Sequence, residues 1–311
     1  MDVEVSFCVV NTNGRELLMR CLDAVARERA ALGRPAEVLV LDNASEDGSV
    51  DAVLARGEDA LLVELPLRRG KAWCDSELMR RAHGRYCLLL NEDSELAPGA
   101  AAALIGALEA DPRAACAVAA LRRGDGALQP SAWRFPTVAT ALAGALMLGP
   151  LIAVQSRGRR TRRVDWGQSA ALAVRRSAAE QVDWMDPSFF VYSDEVDFQK
   201  RLATAGWHSL YVPAAVATHH EQLVTGALPA ARVVEHARGL DRYMRKHHGP
   251  IAAALVRVLT AWTYGLRALA AVGLRGHDPR RYRAQAIAAL RPSRGEGLKE
   301  AADRYNAARG A

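Results

Sequence analysis

The chain has 311 residues, 50% of them hydrophobic and 24% charged, which suits one large globular domain or one domain with an appendage. A net charge of +6 and a pI of about 9.3 favour anionic partners such as nucleotides, phospholipid headgroups or nucleic acid. The five cysteines form no CxxC pair, which predicts buried free thiols in a reducing compartment. The N-terminal "MDVEVSFCVV" has no basic region, so we expect no signal peptide and a cytoplasmic location.

Strands and helices are predicted to alternate along the first 120 residues. The runs "VEVSFCVV", "AEVLVLD", "ALLVELP" and "YCLLLNED" predict strands, and "RELLMRCLDAVARERAAL", "NASEDGSVDAVLARG" and "KAWCDSELMRRAHG" predict helices between them. Strands separated by single helices form βαβ units, so we expect an α/β fold with a mostly parallel, doubly wound sheet. No G-x-G-x-x-G follows the first strand and no G-x-x-x-x-G-K-[ST] occurs, which disfavours Rossmann dehydrogenases and P-loop NTPases.

Two of the predicted strands end in acidic residues. Asp42 ends the second strand, and Asn91, Glu92 and Asp93 end the fourth. Ligands of open α/β sheets bind at this carboxyl edge, and paired carboxylate oxygens suit Mg²⁺ or Mn²⁺. Asp42 can accept hydrogen bonds from a pyrimidine N–H or ribose hydroxyls, or it can cap the next helix. For the second cluster, the alternative is a solvated turn between strand and helix.

Two apolar segments suggest contact with a membrane. Segment 135–156 holds no charged residue and is followed at once by "RGRRTRR", but Gly149-Pro150 interrupts it. We predict an amphipathic hairpin or helix at the membrane interface, with the arginines on anionic headgroups; a buried alanine-rich helix is the alternative. Segment 251–276 is similar, since it is apolar but has Arg257 and Arg267 inside the apolar run. From His277 onward the sequence is basic and polar, and we expect a weakly ordered tail.

Several blocks of the sequence resemble, in order, the inverting family 2 glycosyltransferases, in particular the branch that includes bacterial rhamnosyltransferases. They are "VVNTNGRELLMRCLDAV", "LVLDNASEDGS", "AHGRYCLLLNEDSELAPGA", "DGALQPSAWRFPT" and "VDWGQSAALAVRRSAAEQVDWMDPSFFVYSDEVDFQKRLATAGWHSLYVPAAVATHH". The resemblance covers about residues 3–250 and implies a GT-A fold. It implies a nucleotide-sugar-binding half at 1–120 and an acceptor-binding, catalytic half of the same domain at 121–230. A C-terminal helical, basic extension, apposed to the membrane, is expected at 231–311.

The resemblance also implies contacts to a nucleotide-sugar donor. Asp42 stands where the family contacts the nucleotide base, near the turn at Asn11 and Asn13. In the third βα loop, "LRRGKAWCDSEL", Arg68 and Lys71 stand where the family usually has Asn and Phe. These extra cations are expected to hold the diphosphate electrostatically. The same departure is also consistent with an altered donor or an impaired enzyme.

A metal site is implied at the end of the fourth strand. Asn91, Glu92 and Asp93 occupy the family's DxD position, with Asp93 the expected ligand of Mg²⁺ or Mn²⁺ on the diphosphate. A divalent cation there can neutralise the charge that develops on the leaving group. His219, in "VATHH", stands where the family often has a histidine that completes the metal or diphosphate contact. The alternative for His219 is a structural histidine beside a strand.

The catalytic base is expected within "FFVYSDEVDFQKR". Inverting transfer is a single displacement in which a carboxylate removes the proton of the acceptor hydroxyl. The resemblance implies that this base is Glu195, with Asp194 as the second candidate, because the two acids stand in the opposite order to the family's Glu-Asp pair. Acids in the first turn of a helix are also ordinary, since the N-terminal N–H groups favour negative charge there.

Three functions remain open at this point. The first is metal-dependent, inverting sugar transfer from a nucleotide-diphosphate sugar to a membrane-proximal or lipid-linked glycan acceptor, on the inner face of the cell membrane. The second is a catalytically silent relative that binds a nucleotide sugar or acts as a scaffold. Nucleic-acid binding is disfavoured, because the arginine clusters flank apolar segments and no RRM, helix-turn-helix or zinc-finger pattern occurs.

Overall fold

The structure is a computed structural model that describes residues 3–57, 60–220, 230–273 and 278–310. The strands are β1 (Val5–Asn11), β2 (Ala36–Asp42), β3 (Ala60–Glu64), β4 (Tyr86–Asn91), β5 (Ser94–Leu96), β6 (Ala114–Arg122), β7 (Leu128–Gln129), β8 (Ala132–Trp133), β9 (Arg162–Val164), β10 (Trp166–Gly167), β11 (Ala171–Arg175) and β12 (His208–His219). The helices are α1 (Arg15–Ala31), α2 (Ser49–Ala55), α3 (Lys71–Arg81), α4 (Ala100–Ala110), α5 (Val138–Ala145), α6 (Gly149–Ile152), α7 (Arg176–Gln181), α8 (Asp194–Thr204), α9 (Ala230–Ala271), α10 (Pro279–Leu290) and α11 (Leu298–Ala307).

The central sheet follows the order β3-β2-β1-β4-β11-β6-β12-β5. The first four strands run parallel, β11 is antiparallel to both neighbours, and β12 is parallel to β6. The predicted mostly parallel α/β sheet is therefore confirmed. In register, Asn11 of β1 lies beside Asp42 of β2, and Val10 lies beside Asn91 of β4. This alignment brings the carboxyl ends of three strands to the same edge of the sheet.

The central strands are apolar on both sides because helices cover both faces of the sheet. On β1, Phe7 and Val9 pack into one core cluster, whereas Cys8 and Val10 pack into another. Burial on both faces produces continuous apolar runs instead of strict alternation. All five cysteines are buried and free, so the prediction of free thiols is confirmed.

The uncharged segment 135–156 folds as a hairpin of α5 and the short α6. Its apolar side chains are largely on the outside, which contradicts the alternative of a buried helix. The exposed ones are Leu142, Leu146, Met147, Leu148, Leu151 and Ile152. Within the described part of the chain, no helix is both long enough and apolar enough to cross a bilayer.

The long helix α9 bends at Gly249, whose φ is +83°, followed by Pro250. Its second half exposes a stripe of large apolar side chains at helical spacing, namely Ile251, Leu255, Val258, Trp262 and Leu269. The same half packs against α5, where a Cβ on Gly144 would lie 3.6 Å from Thr263 Oγ1. The hairpin and this stripe are thus neighbouring segments with exposed apolar side chains, and together we call them the apolar face.

The prediction of a weakly ordered tail is wrong for residues 278–310; His277 itself lies outside the described residues. α10 packs along α9, and Arg238 of α9 holds the connection to α11. The Arg238 guanidinium donates to the carbonyl oxygens of Pro292 and Gly295 and pairs with Glu300 at 2.6 Å. The composition of this segment did not predict that it is helical and ordered. The charge that fixes it belongs to Arg238 on α9, and its buried apolar residues are small alanines.

Candidate active site

A cleft of about 540 Å³ opens at the carboxyl edge of β1 and β4. We call it the donor cleft. It brings together five residues predicted from the sequence, namely Asn13, Arg68, Lys71, Asn91 and Glu92. Thr12, Asn43 and Arg69 complete the sheet side, and Phe190, Val191, Arg232, Leu298, Ala301 and Ala302 form the opposite wall. Polar and cationic groups on one side, and a mostly apolar wall that also carries Arg232 on the other, suit an anionic ligand with an organic portion.

Asn11 and Asp42 lie beneath the donor cleft and brace its loops. Asp42 is 2% exposed; its Oδ2 accepts from Asn11 Nδ2 at 2.8 Å and its Oδ1 from the backbone N–H of Ser45 at 2.8 Å. The Ser45 hydroxyl in turn accepts from the backbone N–H of Asn13 at 2.9 Å. Both oxygens of Asp42 are therefore engaged by the chain, which fixes the loops after β1 and β2 relative to each other.

Lys71 begins α3 and carries a partly buried positive charge. Its Nζ lies 2.6 Å from Asp75 Oδ2, and Asp194 and Glu195 are close enough to act on it electrostatically. Burial opposes the charged form, but the carboxylates of Asp75 and Asp194 raise the pKa of Lys71 above its ordinary value. Its backbone N–H donates to the Phe190 carbonyl at 2.6 Å. Lys71 therefore connects the donor cleft to the loop that precedes α8.

Asp93 and His219 face each other at the ends of β4 and β12. Asp93 Oδ1 lies 3.3 Å from His219 Nε2, and His219 Nδ1 lies 3.2 Å from Gln129 Oε1. Both side chains are almost fully buried, with exposures of 5% and 6%. Burial and the neighbouring Asp93 carboxylate raise the pKa of Glu92 to about 8. Asp93 and His219 thus offer one carboxylate oxygen and one imidazole nitrogen side by side.

This donor set fits a divalent ion that shares a diphosphate. No three His, Cys, Asp or Glu side chains converge as a metal cage in the part of the chain that the structure describes. Mg²⁺ at nucleotide sites is typically held by one or two protein ligands together with phosphate oxygens. Asp93 and His219 would supply the protein ligands, and the diphosphate would supply the rest.

The acid pair Asp194–Glu195 opens α8 after a strained turn. Tyr192 and Ser193 have φ values of +65° and +61°, which are uncommon for residues with side chains. Asp194 is 1% exposed, and burial together with the Glu195 charge raises the pKa of Asp194 well above its ordinary value. Glu195 is partly exposed and lines a second cleft, of about 490 Å³. We call this second cavity the acceptor cleft.

Sequence reasoning missed the contribution of α11 to the donor cleft. The guanidinium of Arg68 stacks on the Tyr305 ring, 3.6 Å from its centroid, and the Tyr305 hydroxyl donates to the Ala44 carbonyl at 3.1 Å. The Asn306 side chain bonds both the N–H and the C=O of Arg68. The helical spacing of Leu298, Ala302 and Tyr305 was the signal available in the sequence. It did not say where the helix docks.

The matching family model is "Glycosyl transferase family 2", over residues 6–181. The chain belongs to glycosyltransferase family 2. N-acetylglucosaminyl-diphospho-decaprenol L-rhamnosyltransferase of Mycobacterium tuberculosis is 30% identical over 249 residues, a match that covers 70% of this chain and 77% of the relative. The prediction that this chain is a glycosyltransferase enzyme of a rhamnosyltransferase-like branch is therefore confirmed.

Solved structures agree on the fold of this glycosyltransferase. The mannosyltransferase PcManGT from Pyrobaculum calidifontis, in complex with GDP-Man and Mn²⁺, matches with a TM-score of 0.60 at 18% identity, covering 94% of this chain and 86% of that one. GalNAc-T7 with UDP, GalNAc and Mn²⁺ matches with a TM-score of 0.56 at 16% identity, covering 96% of this chain and 55% of that one. The predicted GT-A fold is confirmed, and both neighbours contain Mn²⁺ in their structures.

The contact between α11 and the donor cleft generates a testable expectation. Tyr305→Ala removes the surface on which the Arg68 guanidinium stacks, a contact typically worth about 0.5–2 kcal/mol. We expect faster hydrogen exchange across 298–307 and a roughly tenfold loss of nucleoside-diphosphate affinity by calorimetry. Tyr305→Phe is the matched control, since it keeps the ring and loses one hydrogen bond, worth about 1 kcal/mol. Unchanged affinity in Tyr305→Ala would show that α11 is not a working wall of the cleft.

Proposed function

We propose that this glycosyltransferase transfers a sugar, with inversion and with a divalent metal, from a nucleotide-diphosphate sugar to a lipid-linked glycan acceptor. The observation that carries this proposal is the adjacency of two clefts joined by one partly buried cation. The donor cleft contains Lys71 and Glu92, and the acceptor cleft contains Glu195. Lys71 is close enough to Glu195 for their charges to interact, so the anomeric carbon of the donor and the acceptor hydroxyl would meet at this boundary.

On the donor side, the chain would bind and hold the leaving group. Asn13 and Asn43 line the sheet side of the cleft and suit the nucleoside, while Arg68, Arg69 and Lys71 are cations suited to the diphosphate. When bound at Asp93 and His219, Mg²⁺ or Mn²⁺ would supply further charge neutralisation on the diphosphate. The Mn²⁺ in both structural neighbours supports a metal of this class.

The metal ligands can be tested by substitution. Asp93→Ala is expected to lower turnover roughly 10²-fold or more, because one electrostatic stabiliser of the leaving group is lost. The assay is product formation by mass spectrometry with a panel of dTDP-, UDP- and GDP-sugars, with and without Mn²⁺. Asp51→Ala, an exposed acid on α2, is the control and should leave turnover unchanged. Full activity of Asp93→Ala, or of the native enzyme in EDTA, would contradict the metal-dependent mechanism.

On the acceptor side, we assign the base to Glu195. Its carboxylate lines the acceptor cleft, whereas Asp194 is almost fully buried and does not line that cleft. In the reaction, the acceptor oxygen bonds to the anomeric carbon as the bond from that carbon to the diphosphate oxygen breaks. The hydroxyl proton passes to Glu195. Asp194 would then act as the buried partner of Lys71 rather than as the base.

Separate amide substitutions distinguish the two acids. Glu195→Gln should keep nucleotide affinity and lose about 10²–10⁴-fold in turnover, because proton removal from the acceptor is lost. Asp194→Asn is the matched comparison and should retain much more turnover. The nucleotide affinity of each variant is measured by calorimetry alongside the transfer assay. If only Asp194→Asn loses turnover, the base is Asp194. If neither variant loses turnover, the pair only caps α8. A native protein that binds the donor but shows no turnover would favour the catalytically silent alternative.

A membrane-bound acceptor is supported by the apolar face and by the lipid named in the mycobacterial relative. Exposed apolar patches of this extent mark interaction surfaces. The hairpin is followed by five exposed arginines, namely Arg157, Arg159, Arg160, Arg162 and Arg163, and Arg157 donates to the Pro150 carbonyl at the hairpin. Apolar side chains beside exposed cations suit the interface of an anionic membrane. We therefore place the enzyme peripherally, on the cytoplasmic face of the cell membrane.

Vesicle binding tests this placement. The native protein should co-sediment more with anionic than with neutral vesicles, and less as salt rises, since headgroup attraction is screened. Leu146→Glu combined with Leu151→Glu should abolish most of the binding, because both leucines are exposed on the hairpin. Leu54→Glu is the control, an exposed leucine on α2 outside the apolar face. Equal recovery with both lipids, or equal binding by the hairpin variant, would remove the membrane assignment.

A further inference from the structure

The acceptor cleft has an aromatic wall that the transfer chemistry does not require. Trp133 ends β8 and Trp166 begins β10, and the antiparallel pairing of these strands sets the two residues opposite each other. Their rings stack with centroids 4.6 Å apart and an interplanar angle of 24°. Both side chains line the cleft that contains Glu195, and both remain partly exposed. Two strands thus hold a fixed indole pair next to the proposed base.

In the same wall, the side-chain oxygen of Gln168 has no hydrogen-bond partner among the described residues. Gln168 lies two residues after Trp166, and its backbone N–H donates to the Ser131 carbonyl at 2.9 Å, which fixes its position. Its side-chain Oε1 is buried and has no hydrogen-bond donor among the residues that the structure describes. A buried acceptor without a donor costs free energy, so such an atom calls for an explanation. A ligand hydroxyl or amide N–H in the cleft would satisfy it.

The charges of the cleft narrow the class of ligand. Of the described residues that line it, Arg134 carries the one permanent positive charge, and it is exposed at the rim. That is a poor site for a diphosphate, which needs several cations. A purely apolar chain would leave the Gln168 oxygen unsatisfied. A neutral ring with one apolar face and several hydrogen-bonding groups matches all three features, and a pyranose has this chemistry.

We propose that Trp133, Trp166 and Gln168 form the subsite for the sugar ring that receives the transferred residue. This inference rests on the proposed transferase function and names the acceptor class. The indoles pack against the C–H face of the pyranose, and Gln168 Oε1 accepts a hydrogen bond from a hydroxyl or acetamido N–H. Held in this way, the ring presents another hydroxyl to Glu195. The indole pair favours binding of a sugar ring, and the hydrogen bond to the Gln168 side chain fixes the orientation of that ring.

Trp133 is the better position for a test than Trp166. Trp166 packs against the core cluster that contains Phe189 and Val196, and its Nε1 donates to the Arg134 carbonyl at 3.0 Å, so its removal risks the fold. Trp133→Leu keeps apolar bulk but removes the aromatic face, whereas Trp133→Phe retains an aromatic ring. Gln168→Leu removes the orphan acceptor without touching the indoles.

The probe is methyl N-acetylglucosaminide, chosen because the mycobacterial relative is named for an N-acetylglucosaminyl lipid. Binding is measured by saturation-transfer NMR in the presence of a nucleoside diphosphate and Mn²⁺, and nucleotide affinity is measured separately by calorimetry. We expect Trp133→Leu and Gln168→Leu each to weaken sugar binding about five- to tenfold. Trp133→Phe should stay within about threefold of the native protein. The nucleotide affinity of every variant should be unchanged.

The outcomes separate this subsite from the proposed function. Equal sugar binding by the native protein, Trp133→Leu and Gln168→Leu would overturn the subsite. So would a native protein that binds nucleotide but no sugar, and that result would leave the transferase proposal standing. Sugar binding that depends on Trp133 and Gln168 in a protein that binds no nucleotide would support the subsite and contradict the transferase proposal.

Discussion

The parallel register of β1, β2 and β4 is the constraint on which the rest of the site depends. The central part of each strand is buried on both faces and apolar, so polar residues lie near the two ends of the strand. Because parallel strands end at one edge, Asn11, Asp42 and Asn91 reach the same place from positions far apart in sequence. Helices cover both faces of the sheet, so a ligand reaches these strands at this edge. The donor cleft is therefore a consequence of how the core is covered, and the loops add its specific groups.

A group of charged side chains joins this edge of the sheet to the start of α8. Lys71, Asp75 and Asp194 lie together, and one oxygen each of Asp75 and Asp194 has no hydrogen-bond donor among the described residues. Such groups cost stability unless they are paired, and they accumulate where function needs them. The positive φ values of Tyr192 and Ser193, just before Asp194, add backbone strain at the same point. Some of the unfavourable features of the fold thus lie between the two clefts, where a substrate would interact with them.

Local pattern was enough for the first half of the fold. The strands and helices up to α4, the free cysteines and the position of the strand-edge acids followed from apolar runs and turn residues, because these depend on neighbours close in sequence. The resemblance to family 2 added the GT-A fold and named Asp93, His219 and the acid pair as candidates. The structure brings Asp93 within 3.3 Å of His219 and sets Glu195 in a cleft. Their catalytic and metal-binding roles stay predictions.

The sequence by itself determined the alternation of elements, the acids at the strand ends and the apolar segments beside arginines, since each is a short-range pattern. Only the tertiary structure decided that the C-terminal residues form ordered helices, that Tyr305 lies beneath Arg68, and that Trp133 stacks on Trp166. These contacts join residues separated by tens to hundreds of positions. Their strength comes from packing and from charges on other elements, and no local periodicity records which distant surface a helix will meet.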